Sequence, residues 1–528
     1  MAQKAECQSV GLHVSELADK WGDRTFATCE DGELTYAATG QYAAYVGGGL
    51  RELGVAAGDR VCMMLDNGIP FFQAWFGIHH LGGVAVPINT AARGDLLAHV
   101  LNDSGASVLI VEAGLVERLL LIERSLLHLR YIVIVGATGV EIGVTRFRAL
   151  RLNDLLSGKA ISPESRDDRS VAAVLYTSGT TGPSKGALLC HRGLLTFVRN
   201  HTHYCGIRSD TVCHTSLPLF HAIALVLSAH GALSMGASVA VSKRFSASRF
   251  WQEIKATGAE YTSITGSIAQ ILFKQPPDPA DRDHRLRTIY AVPAPAAIYR
   301  QFEERFATRF VEAYGATDGQ IATYTPLDEV RPGSCGKVID GFELAIVDDG
   351  DEPQPAGVTG EIVYRSKDPY VMSLGYHNNA EATVESRRNF WFHSGDFGYL
   401  DEDGFLFFVD RKKDALRRRG ENVSSYEVEK VFDDHPAVFE CAAVAVPSEL
   451  NEDEIKIVIS LKPDAEVEPL DLIQWSEPRL PYFMVPRFVE FRDELPKTAN
   501  GKVMRHELRK SGITGCWDLE KSGYTIRR

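Results

Sequence analysis

Short apolar runs alternate with amphipathic helical periods through the first three quarters of the chain. RVCMML (60–65) predicts a strand, PFFQAWFGIHHLG (70–82) a helix and GVAVPI (83–88) the next strand. ASVLIVEA, LVERLLLIERSL and RYIVIVG repeat the order strand, helix, strand. A second series opens at VAAVLYTS (171–178) and continues with SASRFWQEIKATG as helix, AEYTSIT as strand, GSIAQILFKQ as helix, TIYAV as strand and AIYRQFEERF as helix. Alternation of this kind builds parallel sheets covered by helices. After about residue 335 the segments FELAIVDD, GEIVYRS and FLFFVD are short, β-rich and separated by Asp/Gly turns, with DEDG (401–404) as a hairpin turn. Beyond RKKD (411–414) the pattern is that of a smaller α+β unit, which sets a large domain over 1–411 and a small one over 412–528.

The length of 528 residues agrees with more than one core. The net charge of -13 argues against a nucleic-acid partner, although a phosphate site needs only local donors. The start, MAQKAECQSVGLHV, carries no signal-peptide pattern. Ala222 to Ser242 is uncharged, but its glycines, serines and His230 fit a buried helix and strand better than a membrane span. Nine scattered cysteines without a C-x-x-C pair suit reduced thiols and a cytoplasmic location.

The densest chemistry lies in Tyr176-Thr177-Ser178-Gly179-Thr180-Thr181-Gly182-Pro183-Ser184-Lys185-Gly186, between a strand pattern and a helical one. Its glycines let backbone N–H groups approach an anion, and its hydroxyls and lysine add donors. It reads as a loop folded over a polyphosphate, and its spacing is not that of a Walker A loop.

YTSGTTGPSKG is similar to the phosphate loop of the adenylate-forming superfamily of acyl-CoA synthetases, peptide-synthetase adenylation domains and beetle luciferases. LPLFHAIAL (217–225), YGATDG (314–319), WFHSGDFGYLDEDGFLFFVDRKKD (391–414), RGENVSSYEVE (419–429) and LPKTANGKVMR (495–505) follow in the family's order. The resemblance covers roughly residues 15 to 510. Within it, GENVSSYEVE, the 275–287 stretch and the tail WDLEKSGYTIRR are similar to the crotonobetaine/carnitine-CoA ligase group.

The resemblance implies an α/β fold: a large domain of two helix-covered sheets plus a small β-barrel-like part, then a small mobile α+β domain. It implies ATP, Mg²⁺ and CoA as cofactors and a small carboxylic acid as substrate, activated as an acyl-adenylate. Lys502 would bridge the carboxylate and the α-phosphate. Lys185, with Thr177, Ser178, Gly179, Thr180, Thr181 and Gly182, would hold the other phosphates. Asp396 would bind the ribose hydroxyls, Tyr314 and Gly315 would meet adenine, Thr317 the α-phosphate, and Arg411 the nucleotide from the domain boundary. Asp318 and Thr181 would meet the metal. Lys413 would be the hinge, and Gly420, Glu421 and Asn422 would line the thiol tunnel.

Three departures stand out. Asp318 replaces the family's Glu and has a shorter arm. Val292-Pro293-Ala294-Pro295 replaces a glycine pair beside the adenine and acyl groups. Arg419 replaces the first glycine of a pair, and Arg417, Arg418 and Arg419 read either as a draw for CoA phosphates or as a solvated basic turn. His221 reads as a satisfied core histidine by itself, and within PLFH as a side chain near the reacting carboxylate. Trp251, Phe220 and the start of the 263–273 helix are candidates for the acid pocket. A carrier-protein thiol or an amine stays open as acceptor, as does a degenerate nucleotide-binding protein. A homodimer is the default assembly.

Overall fold

The structure, a computed structural model, describes residues 8–136, 146–177, 183–326, 328–411, 415–419, 421–448, 452–496 and 503–526. The chain divides into two compact units, the larger made of 1–90, 101–176 and 186–410, the smaller of 91–100, 177–185 and 411–528. Two short pieces of the first half therefore belong to the smaller unit, which a linear reading of the sequence does not assign.

The larger unit holds two seven-stranded sheets. In one, the strands run in the order Arg148–Arg151, Tyr131–Val135, Val108–Glu112, Arg60–Met64, Val84–Pro87, Val171–Thr177 and Lys185–Cys190. Arg60–Met64 lies between Val108–Glu112 and Val84–Pro87 and is parallel to both. The other sheet orders Arg309–Val311, Thr288–Ala291, Tyr261–Ile264, Val212–Thr215, Ser238–Val241, Thr25–Cys29 and Gly32–Thr35, with only the last pair antiparallel. The stretch Val108–Val111 is fully buried between two parallel neighbours, which is why it reads as a continuous apolar run.

Ile69–His80 is a helix with Pro70 in its first turn and aromatic residues on several sides, so it is buried nearly all round. LVERLLLIERSL does not form one helix: Val116–Leu121 is flanked by tight turns at Ala113–Leu115 and Glu123–Ser125. The uncharged stretch winds as a π-helix over Ile223–His230 and an α-helix over Gly231–Met235, then enters the strand Ser238–Val241. Among the described residues no helix is long and apolar enough to cross a membrane. A four-stranded antiparallel sheet, Phe342–Val347, Gly360–Ser366, Phe392–Leu400 and Leu406–Arg411, follows. Its DEDG turn is held by Asp401, whose carboxylate accepts from the N–H groups of Asp403 and Phe405.

The smaller unit has its own core, in which Val428 and Phe432 pack with Ile455, Ile457 and Leu472. Lys456 is fully buried there, its ammonium donating to Glu490, Ser511 and the carbonyls of Leu508 and Gly512 at 2.6–2.9 Å. Of the basic trio, Arg418 is neither a phosphate draw nor solvated: it is buried and paired with Glu454 at 2.6 Å. Arg419 sits in the turn of the hairpin Ala415–Arg418/Glu421–Ser424 with φ 56°, a left-handed conformation that favours glycine.

Eight cysteines of the described residues are free thiols, seven of them buried and Cys516 half-buried. Cys190 Sγ accepts from the Gly193 N–H at 3.4 Å and so caps the helix His191–Cys205.

Six histidines of the larger unit are buried among the described residues, and burial lowers the pKa of each, His80 included. Burial holds the pKa of His79 well below the ordinary value of 6.5, brings His191 and His214 down to about 4, and His201 and His230 down to about 3. With depressed folded-state values, the stability they contribute is complete above the unfolded value and is lost as pH falls below it. Each adds a slope of roughly 1.4 kcal/mol per pH unit until its folded-state value is reached. These histidines should therefore add no pH dependence to the unfolding temperature above pH 7 and should make it fall steeply from about 6.5 towards 4. A scan that stays flat to pH 4.5 would contradict this.

Candidate active site

Two short strands, Ala313–Ala316 and Gln320–Tyr324, form a tight antiparallel hairpin whose turn carries Thr317 and Asp318. A Cβ on Gly315 would lie 2.2 Å from the Gln320 carbonyl oxygen, so this position admits no side chain. Tyr314, buried at the start of the hairpin, donates its hydroxyl to Asp396 Oδ2 at 2.8 Å. Asp396 comes from the strand Phe392–Leu400, 82 positions on in sequence. Ser394 fixes the local backbone by donating to the Ile362 carbonyl at 2.6 Å and accepting from the Asp396 N–H at 3.1 Å. The fold thus joins an aromatic face and a carboxylate that the sequence keeps far apart.

Asp318 is buried, and its carboxylate accepts from the Tyr376 hydroxyl. Its backbone carbonyl accepts from Ser373 N–H at 3.2 Å, and Arg387 donates to the Ser373 carbonyl and hydroxyl at 2.8 Å. Burial lowers the Arg387 pKa, and the Asp318 carboxylate opposes that shift. Among the described residues no three His, Cys, Asp or Glu side chains group as a metal cage. A single hard-oxygen carboxylate suits an ion that arrives coordinated by phosphates.

Glu312, which the motif reading missed, lies two positions before Tyr314 with only 3% of its surface exposed. Its carboxyl accepts from the Ala294 N–H, and Oε2 has no partner among the described residues. Burial pushes its pKa up to about 8. The available signal was a lone acidic residue between apolar Val311 and Ala313 in a strand pattern. A raised carboxyl pKa contributes stability that is complete below the unfolded value and is lost as pH rises through about 8. Glu312→Gln should therefore gain melting temperature relative to the wild type as pH rises from about 5 to 8 and no further above that, and a difference that stays constant over this range would argue against a neutral buried Glu312.

Ala294 is itself buried, after the cis peptide Val292-Pro293. His221 is half-buried next to Phe220, with ring centroids 4.6 Å apart, and its carbonyl accepts from Leu225 N–H as the helix opens. Trp251 stacks on Phe306 at 4.4 Å and on His284 at 5.0 Å, a packing role within the layer covering the sheet.

Within the smaller unit, Thr177 and Lys185 are half-buried at the two ends of the phosphate-type loop, and Thr177 Oγ1 donates to the Lys185 carbonyl at 3.4 Å. Ser184, next to the lysine, is clasped from both sides. Its N–H donates to Glu427 at 3.2 Å, and its carbonyl bonds His99 Nε2 at 2.8 Å. Glu421 is half-buried in the strand Glu421–Ser424, where Asn422 pairs with Arg417, and Arg411 ends the strand Leu406–Arg411. Ser178, Gly179, Thr180, Thr181, Gly182, Lys413, Gly420 and Lys502 lie outside the described residues.

The sequence pattern of the family described as AMP-binding enzyme matches residues 14–377, and that of the AMP-binding enzyme C-terminal domain matches 427–502. The chain belongs to the AMP-binding enzyme family. This family member is 30% identical over 505 residues to a crotonobetaine/carnitine–CoA ligase of Salmonella paratyphi A, covering 94% of the chain and 97% of that ligase. The corresponding ligase of Escherichia coli O9:H4 matches equally. Among solved structures, the anthranilate CoA ligase AuaEII in complex with anthranoyl-AMP aligns with TM-score 0.73 and 27% identity over 97% of this chain and 98% of that one. The o-succinylbenzoate CoA synthetase of Bacillus subtilis shares the fold of this AMP-binding enzyme at TM-score 0.81 and 24% identity, over 94% and 98% of the two chains.

Proposed function

We propose that this AMP-binding enzyme is an ATP-dependent acid–thiol ligase that activates a small carboxylic acid as its adenylate and passes the acyl group to CoA. The observation that carries this reading is the Tyr314–Asp396 pair, an aromatic face hydrogen-bonded to a carboxylate, which is the chemistry that holds a nucleoside. Tyr314 stacks on adenine over Gly315, Asp396 accepts from the ribose hydroxyls, and Glu312 with Ala294 faces the base edge, where an exocyclic amine is a donor for the carboxyl.

The acid's carboxylate oxygen attacks the α-phosphorus of ATP, forming a mixed anhydride with AMP and expelling pyrophosphate. Negative charge gathers on phosphoryl oxygens, so fixed donors and cations are what the chain must supply. Thr317 and Lys502 act at the α-phosphate and the entering carboxylate, with His221 beside the acid. Lys185 and the Thr177–Gly182 donors hold the departing phosphates. Mg²⁺, held by Asp318 and Thr181, would neutralise phosphate charge. The CoA thiol then attacks the acyl carbon along Gly420, Glu421 and Asn422 and AMP leaves, after the smaller unit pivots at Lys413.

The test follows pyrophosphate and AMP release with ATP, Mg²⁺ and a panel of short, branched, aromatic and betaine-type acids, with and without CoA. CoA-dependent AMP and thioester with one acid class support the ligase. Pyrophosphate release without thioester would move the acceptor to a carrier thiol or an amine.

A further inference from the structure

A cavity of about 370 Å³ opens in the larger unit, at the carboxyl ends of the parallel strands Tyr131–Val135 and Arg148–Arg151. None of its lining residues is shared with the Tyr314–Asp396 site. The carboxyl ends of parallel strands are where ligands bind in open α/β sheets. Pro70, in the first turn of the helix Ile69–His80, borders it as well.

Four polar side chains line the cavity: Tyr42, Gln73, Arg151 and Asn153. Gln73 is 8% exposed, and its amide makes no hydrogen bond among the described residues. Its amide opens onto the cavity, where it can donate to a ligand in exchange for water. Arg151 is exposed and forms no ion pair among the described residues, Asp154 being engaged with its backbone N–H at 2.7 Å instead. Among the described residues, every polar side chain of the lining can donate, the only formal charge is positive, and no carboxylate lines the cavity to receive a cation. Ile134, Val135 and Leu152, all buried, supply an apolar wall.

We propose that this cavity is a second binding site, for a small organic carboxylate with a short hydrocarbon body. Arg151 takes the carboxylate through its guanidinium fork, Gln73 and Asn153 donate to its oxygens, and the body lies against Ile134 and Leu152. The volume is at the small end of ligand cavities, which fits a single ring or a short chain and excludes a nucleotide.

The probe is 3-(4-fluorophenyl)propanoate, titrated into the full-length protein and followed by ¹⁹F NMR. Arg151→Gln and Gln73→Leu should each weaken binding by at least about tenfold, because each removes a charge-assisted contact in a partly dry site. The neutral amide of the probe should bind weaker than the acid by a similar factor. Both variants should keep the melting temperature and the ATP requirement of the wild type, since neither residue belongs to the nucleotide site. Absence of binding to the wild type, equal binding of acid and amide, or affinity unchanged in Arg151→Gln would each overturn the proposal.

Discussion

Replacing Asp396 by alanine should raise the ATP concentration for half-maximal adenylation by about a hundredfold to a thousandfold. The carboxylate is read as the acceptor of two ribose hydroxyls, and a hydrogen bond to a charged group contributes about 1.5–3 kcal/mol. It also receives the Tyr314 hydroxyl at 2.8 Å, so the substitution strands a buried phenol and loosens the ring that stacks on the base. Asp396→Asn keeps one acceptor and the side-chain volume and should fall between the two. Acid-dependent exchange of pyrophosphate into ATP measures the effect. An unchanged ATP requirement in the alanine variant would remove Asp396 from the nucleotide site.

Lys502→Ala should separate the two half-reactions. Loss of one fixed cation aimed at charge developing in the transition state lowers a rate by about a hundredfold to a thousandfold. Adenylate formation should fall by that factor. Thioester formation from CoA and a preformed acyl-adenylate should change by no more than a few-fold, because the lysine has no charge to stabilise once pyrophosphate has left. Equal loss in both assays would make Lys502 a structural residue.

Much of the architecture was legible because buried parallel strands announce themselves: RVCMML and TIYAV read as strands from apolar content, and Arg60–Met64 and Thr288–Ala291 are strands. LVERLLLIERSL misled because its leucines satisfy a helical period while Leu121 is largely exposed, so the packing does not hold a long helix. Candidate site residues could be named where a motif is contiguous, as in YGATDG and HSGD. Tyr376, 58 positions from Asp318, had no local signal, and neither did His99 for its bond to Ser184. The same limit hid the role of Arg418, since a run of three arginines does not reveal that the middle one turns inward to Glu454. The position of Arg419 carried the opposite lesson, for the glycine expected there marks a backbone angle that arginine here adopts.

The burial of the thiols has a practical consequence for spectroscopy. Of the described cysteines only Cys516 is partly accessible, and it belongs to the smaller unit. With Cys7, outside the described residues, changed to serine, a maleimide dye should attach at one place without further engineering. Burial holds the Cys516 pKa above its ordinary value, so labelling calls for mildly alkaline buffer. The Cys7→Ser chain thus carries a reporter position at Cys516 for fluorescence anisotropy of the smaller unit as ATP, acid and CoA are added in turn.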